Sequence, residues 1–173
     1  MRTFIDVAMV VVLALASLGA GLAMNRFAAQ PLPIVYQNPE QRFDKELTTL
    51  VTAAPFAVTP AATVGLPEFR AAVEGKTALI LDARPSDFYA RGHVPGALNL
   101  SRDDFAHDYR RLAPMLKENT KPIIVYCSGG ECHDSKLVAN ALLSLGSADV
   151  SVYHGGWDEW STSNLPVETG RDS

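Results

Sequence analysis

At residues 123–135 the chain reads Ile123-Ile124-Val125-Tyr126-Cys127-Ser128-Gly129-Gly130-Glu131-Cys132-His133-Asp134-Ser135. An apolar, strand-like run is followed by a loop with two glycines, and a helical pattern begins at about residue 134. This loop contains both cysteines of the chain. Loop N–H groups and the positive end of the helix dipole favour a thiolate over a thiol at such a position. Cys127 is therefore a candidate nucleophile.

Short apolar runs alternate with amphipathic helical patterns from about residue 64 onward. The patterns predict strands at 78–81, 97–100, 123–126 and 150–153, and helices at 67–74, 86–91, 103–118 and 134–145. This alternation predicts an α/β fold with a mostly parallel central sheet and helices on both faces. Ligands bind such sheets at the carboxyl ends of the strands. Asp82, Arg84 and Cys127 each follow a strand, so we expect them to share one rim.

Residues 4–24 are almost wholly apolar, with Asp6 as their single charged residue. About 20 such residues span a bilayer as a helix. A cleaved signal peptide is the alternative, but its apolar region is usually about 7–15 residues long. We expect an uncleaved transmembrane anchor at 4–24. The segment before this span is short, which favours a cytoplasmic N-terminus. The rest of the chain would then lie outside the cytoplasm, on the periplasmic side.

A proline-rich spacer is expected at 25–62, because prolines recur through this region. Within it, Asn38-Pro39 is typical of a helix start, and apolar residues at helical spacing predict a short amphipathic helix near 39–53. This helix could pack on its own domain, on a partner or on the membrane surface. The net charge of −4 gives no electrostatic basis for binding nucleic acid.

Four motifs, in this order, resemble those of the rhodanese-like domain, and they cover residues 63–170. They are Leu81-Asp82-Ala83-Arg84-Pro85, Phe88-Tyr89-Ala90-Arg91-Gly92-His93-Val94-Pro95-Gly96-Ala97-Leu98-Asn99, Tyr126-Cys127 with its loop, and Gly155-Gly156-Trp157-Asp158-Glu159-Trp160. The resemblance implies a sulfurtransferase that carries a persulfide sulfur on Cys127. It also implies that the backbone of Ser128, Gly129, Gly130, Glu131 and Cys132 forms a cradle around this sulfur.

The residue types of the loop suit this chemistry independently of the resemblance. A thiolate must attack a sulfur donor, and the resulting anionic sulfur needs hydrogen-bond donors around it. Gly129 and Gly130 can adopt the positive φ angles that such a cradle requires. His133 stands at the predicted helix start, where it either tunes the thiol pKa or is simply solvated.

The loop departs from the family pattern at Cys132, since many members have an arginine at this place. Without that arginine, a phosphatase function is not expected. Glu131 makes the loop acidic and disfavours a dianionic donor such as thiosulfate. Cys132 is a candidate resolving thiol that attacks the loaded Cys127 and forms a disulfide. The alternative is a buried thiol that only fills space.

Asp82 and Arg84 are expected to form a structural ion pair at the rim rather than to take part in chemistry. Cys127, Cys132 and His133 lack the second ligand pair of a structural zinc site, so we expect neither a metal nor a cofactor. Three functions remain open: a sulfurtransferase, a dithiol–disulfide redox protein that uses both cysteines, and a non-catalytic docking module. Expected partners are a small sulfur donor, a thiol or persulfide protein, and an integral membrane protein.

Overall fold

The computed structural model describes residues 2–27, 38–50, 61–130 and 132–171. It contains two compact units, Met1–Gln37 and Asn38–Ser173. The first unit contains helix α1 (Arg2–Phe27), within which Met9–Phe27 is long and apolar enough to cross a membrane, with a mean hydropathy of 1.7. From Met9 onward, the large apolar side chains of this helix are exposed in the protein. A signal sequence near an N-terminus would have the same length and composition.

The second unit is an α/β domain, as the alternating pattern predicts. Its elements are α2 (Pro39–Leu50), β1 (Ala62–Val64), α3 (Leu66–Gly75), β2 (Leu79–Asp82), α4 (Ser86–Arg91), β3 (Leu98–Asn99), α5 (Phe105–Glu118), β4 (Ile123–Tyr126), α6 (Asp134–Ser144), β5 (Val150–Tyr153) and α7 (Gly156–Thr162). The strands form one sheet in the order β1-β5-β4-β2-β3, and every neighbouring pair is parallel. The pattern did not predict β1, because three residues are too few to show a period.

The central strand β4 supplies side chains to two cores, because successive side chains of a strand point to opposite faces. Ile123 and Val125 belong to a cluster that α2, α5 and α6 complete. Ile124 and Tyr126 belong to a second cluster, which includes Phe69 of α3 and Trp160 of α7. Helices therefore cover both faces of the sheet, as predicted, and this explains why β4 is apolar throughout.

Helix α2 packs on its own domain. Its start is a capping box, in which the Gln41 N–H donates to Asn38 Oδ1 at 2.8 Å and the Asn38 N–H donates to Gln41 Oε1 at 3.3 Å. Phe43 is 3% exposed, and its ring centroid lies 5.2 Å from that of Phe105 in α5. The compact unit that contains α2 begins at Asn38, and the domain boundary expected at residue 63 stays a prediction. Residues 51–53, the predicted end of this helix, lie outside the described residues.

Candidate active site

The cysteine loop, residues 127–133, begins where β4 ends at the carboxyl edge of the sheet. Cys127 continues the alternation of β4, so its side chain packs in the same cluster as Val125 and is 2% exposed. A disulfide joins Cys127 to Cys132, and their α-carbons are 6.5 Å apart, within the usual 4.4–6.8 Å. The loop is therefore curled enough for Cys132 to reach Cys127. Glu131 lies outside the described residues.

Helix α7 holds the first half of the loop. The Trp157 N–H donates to the Cys127 carbonyl at 2.8 Å, and the Asp158 N–H donates to the Ser128 carbonyl at 2.8 Å. These donors lie in the first turn of α7, whose N–H groups have no partner within the helix. At Gly129 a Cβ atom would collide with the Gly155 carbonyl oxygen. The close approach of the two segments therefore requires glycine.

The loop backbone has the conformation that its glycines predict. Gly129 and Gly130 have φ angles of +117° and +58°, so both adopt the predicted positive φ. Gly129 uses its carbonyl to accept the Cys132 N–H at 3.1 Å. Within the described part of the chain, the N–H groups of Ser128, Gly129 and Gly130 donate to no protein acceptor. Unpaired N–H groups on such a turn can bind an anion.

Ser135 contacts the Cys127 sulfur directly, although no role was predicted for it from the sequence. Its side chain is 2% exposed, and its Oγ lies 3.3 Å from Cys127 Sγ. A disulfide sulfur carries no proton, so the hydroxyl is the donor. The signal was present in the sequence, because Ser135 shares the buried stripe of α6 with Val138, Ala139 and Leu142. A polar residue on an apolar stripe indicates a buried hydrogen bond.

Charged groups at the start of α6 are already paired with one another. Arg102 contacts Asp134 at 3.0 Å and Asp103 at 3.0 Å. Burial raises the pKa of the Asp134 carboxyl, and Arg102 opposes this shift. His133 precedes α6, is exposed and makes no capping bond through its side chain. Because Arg102 is paired with two carboxylates, it does not replace the arginine that many family members have at the position of Cys132.

The structure contains the predicted Asp82–Arg84 ion pair, which is 2.6 Å long and fully buried. Burial alone would lower the pKa of the Arg84 guanidinium, but the hydrogen bonds and attraction of Asp82 outweigh this and raise it. The guanidinium also donates to the Gly92 carbonyl at 2.7 Å and lies 4.5 Å from the Trp157 ring centroid. Because the Trp157 N–H holds Cys127, the ion pair supports the loop, and the three predicted rim residues lie in one connected network.

Known proteins place this geometry in a family. Residues 66–163 match the family model of the rhodanese-like domain. The chain is 33% identical over 102 residues to the thiosulfate sulfurtransferase GlpE of Pseudomonas fluorescens, and the match covers 59% of this chain and 86% of that protein. It is 31% identical over 100 residues to protein YibN of Escherichia coli, which is uncharacterized, and here the match covers 57% of this chain and 66% of that protein.

A solved structure supports the same placement. The rhodanese-like domain of the Alr3790 protein from Anabaena sp. has a TM-score of 0.52 and 26% identity to this chain. The superposition covers 65% of this chain and 80% of that domain. With more than half of its residues in the family model, and with a parallel sheet that places Cys127 at its carboxyl edge, the chain belongs to the rhodanese-like domain family, which includes sulfurtransferases.

Proposed function

We propose that this chain is a membrane-anchored sulfurtransferase that carries sulfane sulfur as a persulfide on Cys127, with Cys132 as the resolving thiol. One observation carries the proposal: Cys127 opens a loop in which the N–H groups of residues 128–130 have no acceptor in the described residues, and Cys132 lies within bonding reach of it. The sulfurtransferase homologue supports the reaction class.

The proposed cycle has two steps. The Cys127 thiolate attacks the outer sulfur of a persulfide donor; the donor's S–S bond breaks, and the donor leaves as a thiolate. The unpaired loop N–H groups then stabilise the anionic outer sulfur. An acceptor thiolate can remove this sulfur and restore Cys127. Alternatively, the Cys132 thiolate attacks Cys127 Sγ, hydrosulfide leaves, and the Cys127–Cys132 disulfide forms.

The charge around the loop favours a persulfide or a thiol partner over a dianion. Arg102 is neutralised by Asp103 and Asp134, and Glu131 adds a negative charge in the sequence. A dianion such as thiosulfate would meet a field of its own sign. We therefore expect the donor to be a cysteine persulfide on a small molecule or on a partner protein.

Intact mass spectrometry of the full chain in detergent micelles tests this function. The reduced protein should gain one sulfur atom from a low-molecular-weight persulfide and much less from thiosulfate. Cys132→Ser should retain the added sulfur for longer, because its resolving thiol is absent, and Cys127→Ser should gain none. Equal loading of Cys127→Ser would show that another group carries the sulfur and would refute the proposal.

The disulfide itself favours a second candidate, a dithiol–disulfide redox protein. The same variants separate the two functions. A redox protein needs both thiols, so Cys132→Ser would abolish its activity, whereas a sulfur carrier would still load Cys127. If neither loading nor thiol–disulfide exchange occurs in the wild-type chain, a docking module becomes the best account.

The membrane placement has its own test. We propose that α1 is an uncleaved anchor with the domain outside the cytoplasm, where a disulfide persists. A reporter active only in the cytoplasm, fused to the C-terminus, should be silent, and the membrane-bound protein should keep the mass of the full chain. An active reporter would reverse the topology, and loss of the first residues would identify a cleaved signal.

A further inference from the structure

The two sulfur atoms of the disulfide lie in different surroundings. Cys127 is 2% exposed and belongs to the hydrophobic core, whereas Cys132 is partly exposed. A thiolate that opens a disulfide must reach the sulfur it attacks. Access from solvent therefore favours attack on Cys132.

The sulfur of Cys127 is also the better leaving group. Ser135 Oγ lies 3.3 Å from it, and in the described residues this hydroxyl has no other hydrogen-bond partner. By contrast, the Ser144 hydroxyl in the same helix donates to the Asn140 carbonyl at 2.8 Å. A hydrogen bond to the charged form lowers the pKa of a thiol. A thiol with a lower pKa leaves faster in disulfide exchange.

We infer that the disulfide opens in one direction: an external thiolate attacks Cys132 Sγ, and Cys127 leaves as a thiolate that the Ser135 hydroxyl stabilises. In this step one S–S bond forms between the reductant and Cys132, and the Cys127–Cys132 bond breaks. The second thiol of a dithiol reductant then attacks its own sulfur in the mixed disulfide. Cys132 is released as a thiol with the proton of that second thiol, and the dithiol becomes a disulfide. The protein thus gains two electrons and one proton, and Cys127 remains a thiolate.

The partner implied is thus a dithiol reductant that docks at Cys132, and Ser135 is a catalytic residue for reactivation. This inference deepens the proposed function, because it explains how the Cys127 thiolate is regenerated after hydrosulfide leaves. The inference rests on the proposed function only because that function gives the regenerated Cys127 thiolate its use. Disulfide opening can be measured without any sulfur donor, so the two proposals can fail separately.

The position of the first adduct tests the direction. The oxidised full chain in micelles is mixed with glutathione, quenched with acid, alkylated, and digested after glutamate, which separates the cysteines at Glu131. Glutathione should be found on Cys132 and the alkyl group on Cys127. The reverse distribution would overturn the inference, and so would equal amounts on both cysteines.

The role of Ser135 is tested by Ser135→Ala. Loss of a hydrogen bond to a charged group corresponds to about tenfold or more in rate. Glutathione should therefore open the Ser135→Ala disulfide about tenfold more slowly, while the matched control Ser144→Ala stays at the wild-type rate. In a Cys132→Ser background, Ser135→Ala should raise the Cys127 thiol pKa by about one unit, measured from thiolate absorbance. An unchanged pKa and rate would refute the role, and the adduct position in wild type remains decisive if Ser135→Ala does not fold.

Discussion

The ends of strands β2 and β4 differ sharply, although Asp82 and Tyr126 are register partners on adjacent strands. At the end of β2, the Asp82 carboxylate and the Arg84 guanidinium are bonded to each other and to the backbone around them. After β4, the loop carbonyls are held by α7, but the N–H groups of residues 128–130 have no acceptor in the described protein. We call the first the saturated rim, because its polar groups are bonded within the protein, and the second the unsaturated rim, because its N–H groups have no acceptor in the described residues. In the proposed function, the unsaturated rim binds the anionic sulfur.

The two rims meet at Trp157. Its indole ring lies over the Arg84 guanidinium, and its backbone N–H donates to the Cys127 carbonyl. Trp157 therefore links the buried ion pair to the backbone of the cysteine loop. Because Trp157 and Trp160 are the only tryptophans of the chain, their fluorescence reports on unfolding next to the loop.

Breaking the saturated rim should have the largest effect. Arg84→Met leaves the Asp82 carboxylate buried without its cation, which costs about 3–5 kcal/mol of unfolding free energy. Urea unfolding of the full chain in micelles, followed by tryptophan fluorescence, measures this loss. Arg70→Met is the matched control, because the Arg70–Glu74 pair is exposed and contributes about 0–1 kcal/mol.

A double variant sharpens this result. If the cost comes from an unpaired buried charge, Asp82→Asn combined with Arg84→Met should recover part of the stability lost in the single variant. Two independent, additive losses would instead indicate that each side chain matters mainly for its packing. The contrast between a saturated and an unsaturated rim would then be weaker than we describe.

Disturbing the unsaturated rim should have an intermediate effect on stability and a large one on function. Gly130→Ala has open space around its Cβ atom and should cost about 1–2 kcal/mol for its left-handed backbone. Gly129→Ala should cost about 3 kcal/mol, because its φ of +117° is less accessible and its Cβ atom meets Gly155. Urea unfolding measures both, and mass spectrometry should show that Gly129→Ala loads less sulfur. If both variants lost the same unfolding free energy, the contact between Gly129 and the start of α7 would not be what holds the loop.

The smallest effect concerns pH and the Arg102–Asp134 pair. The pKa of Asp134 is raised by burial, so the folded state binds this proton more tightly than the unfolded state does. Its contribution to stability is therefore greatest below the unfolded pKa and is lost as pH rises through the folded pKa. The unfolding free energy of wild type minus that of Asp134→Asn should increase slightly from about pH 7 to about pH 4. A decrease would mean that the attraction of Arg102 outweighs burial.

Local patterns predicted most of the fold. Strands β4 and β5 and helix α4 have the predicted bounds, and α3, α5 and α6 agree to within two residues. Each has a clear apolar period or run, so its local sequence is sufficient. Strand β1 was missed because Ala62–Val64 becomes a strand only by pairing with β5. The position of α2 was left open, since an apolar stripe does not specify the surface that covers it.

The candidate site divides in the same way. Cys127, the glycines and the Asp82–Arg84 pair were identified from their places after strands. Ser135 was missed because its contact with Cys127 spans the whole loop. The Trp157 and Asp158 N–H groups hold the loop through hydrogen bonds to backbone carbonyls. Such bonds involve no side chain, so the pattern of side chains in the sequence does not predict them.

The sequence by itself determined that a parallel α/β domain presents a cysteine loop at the carboxyl edge of its sheet. Periodicity, glycine positions and strand-to-helix order suffice for this, because they reflect local backbone preferences and burial. Only the tertiary structure decided that Cys132 pairs with Cys127, that Ser135 donates to the Cys127 sulfur, and that α7 fixes the loop carbonyls. These contacts depend on how the loop curls and on where β4, α6 and α7 lie relative to one another, and the packing of the whole domain sets those positions.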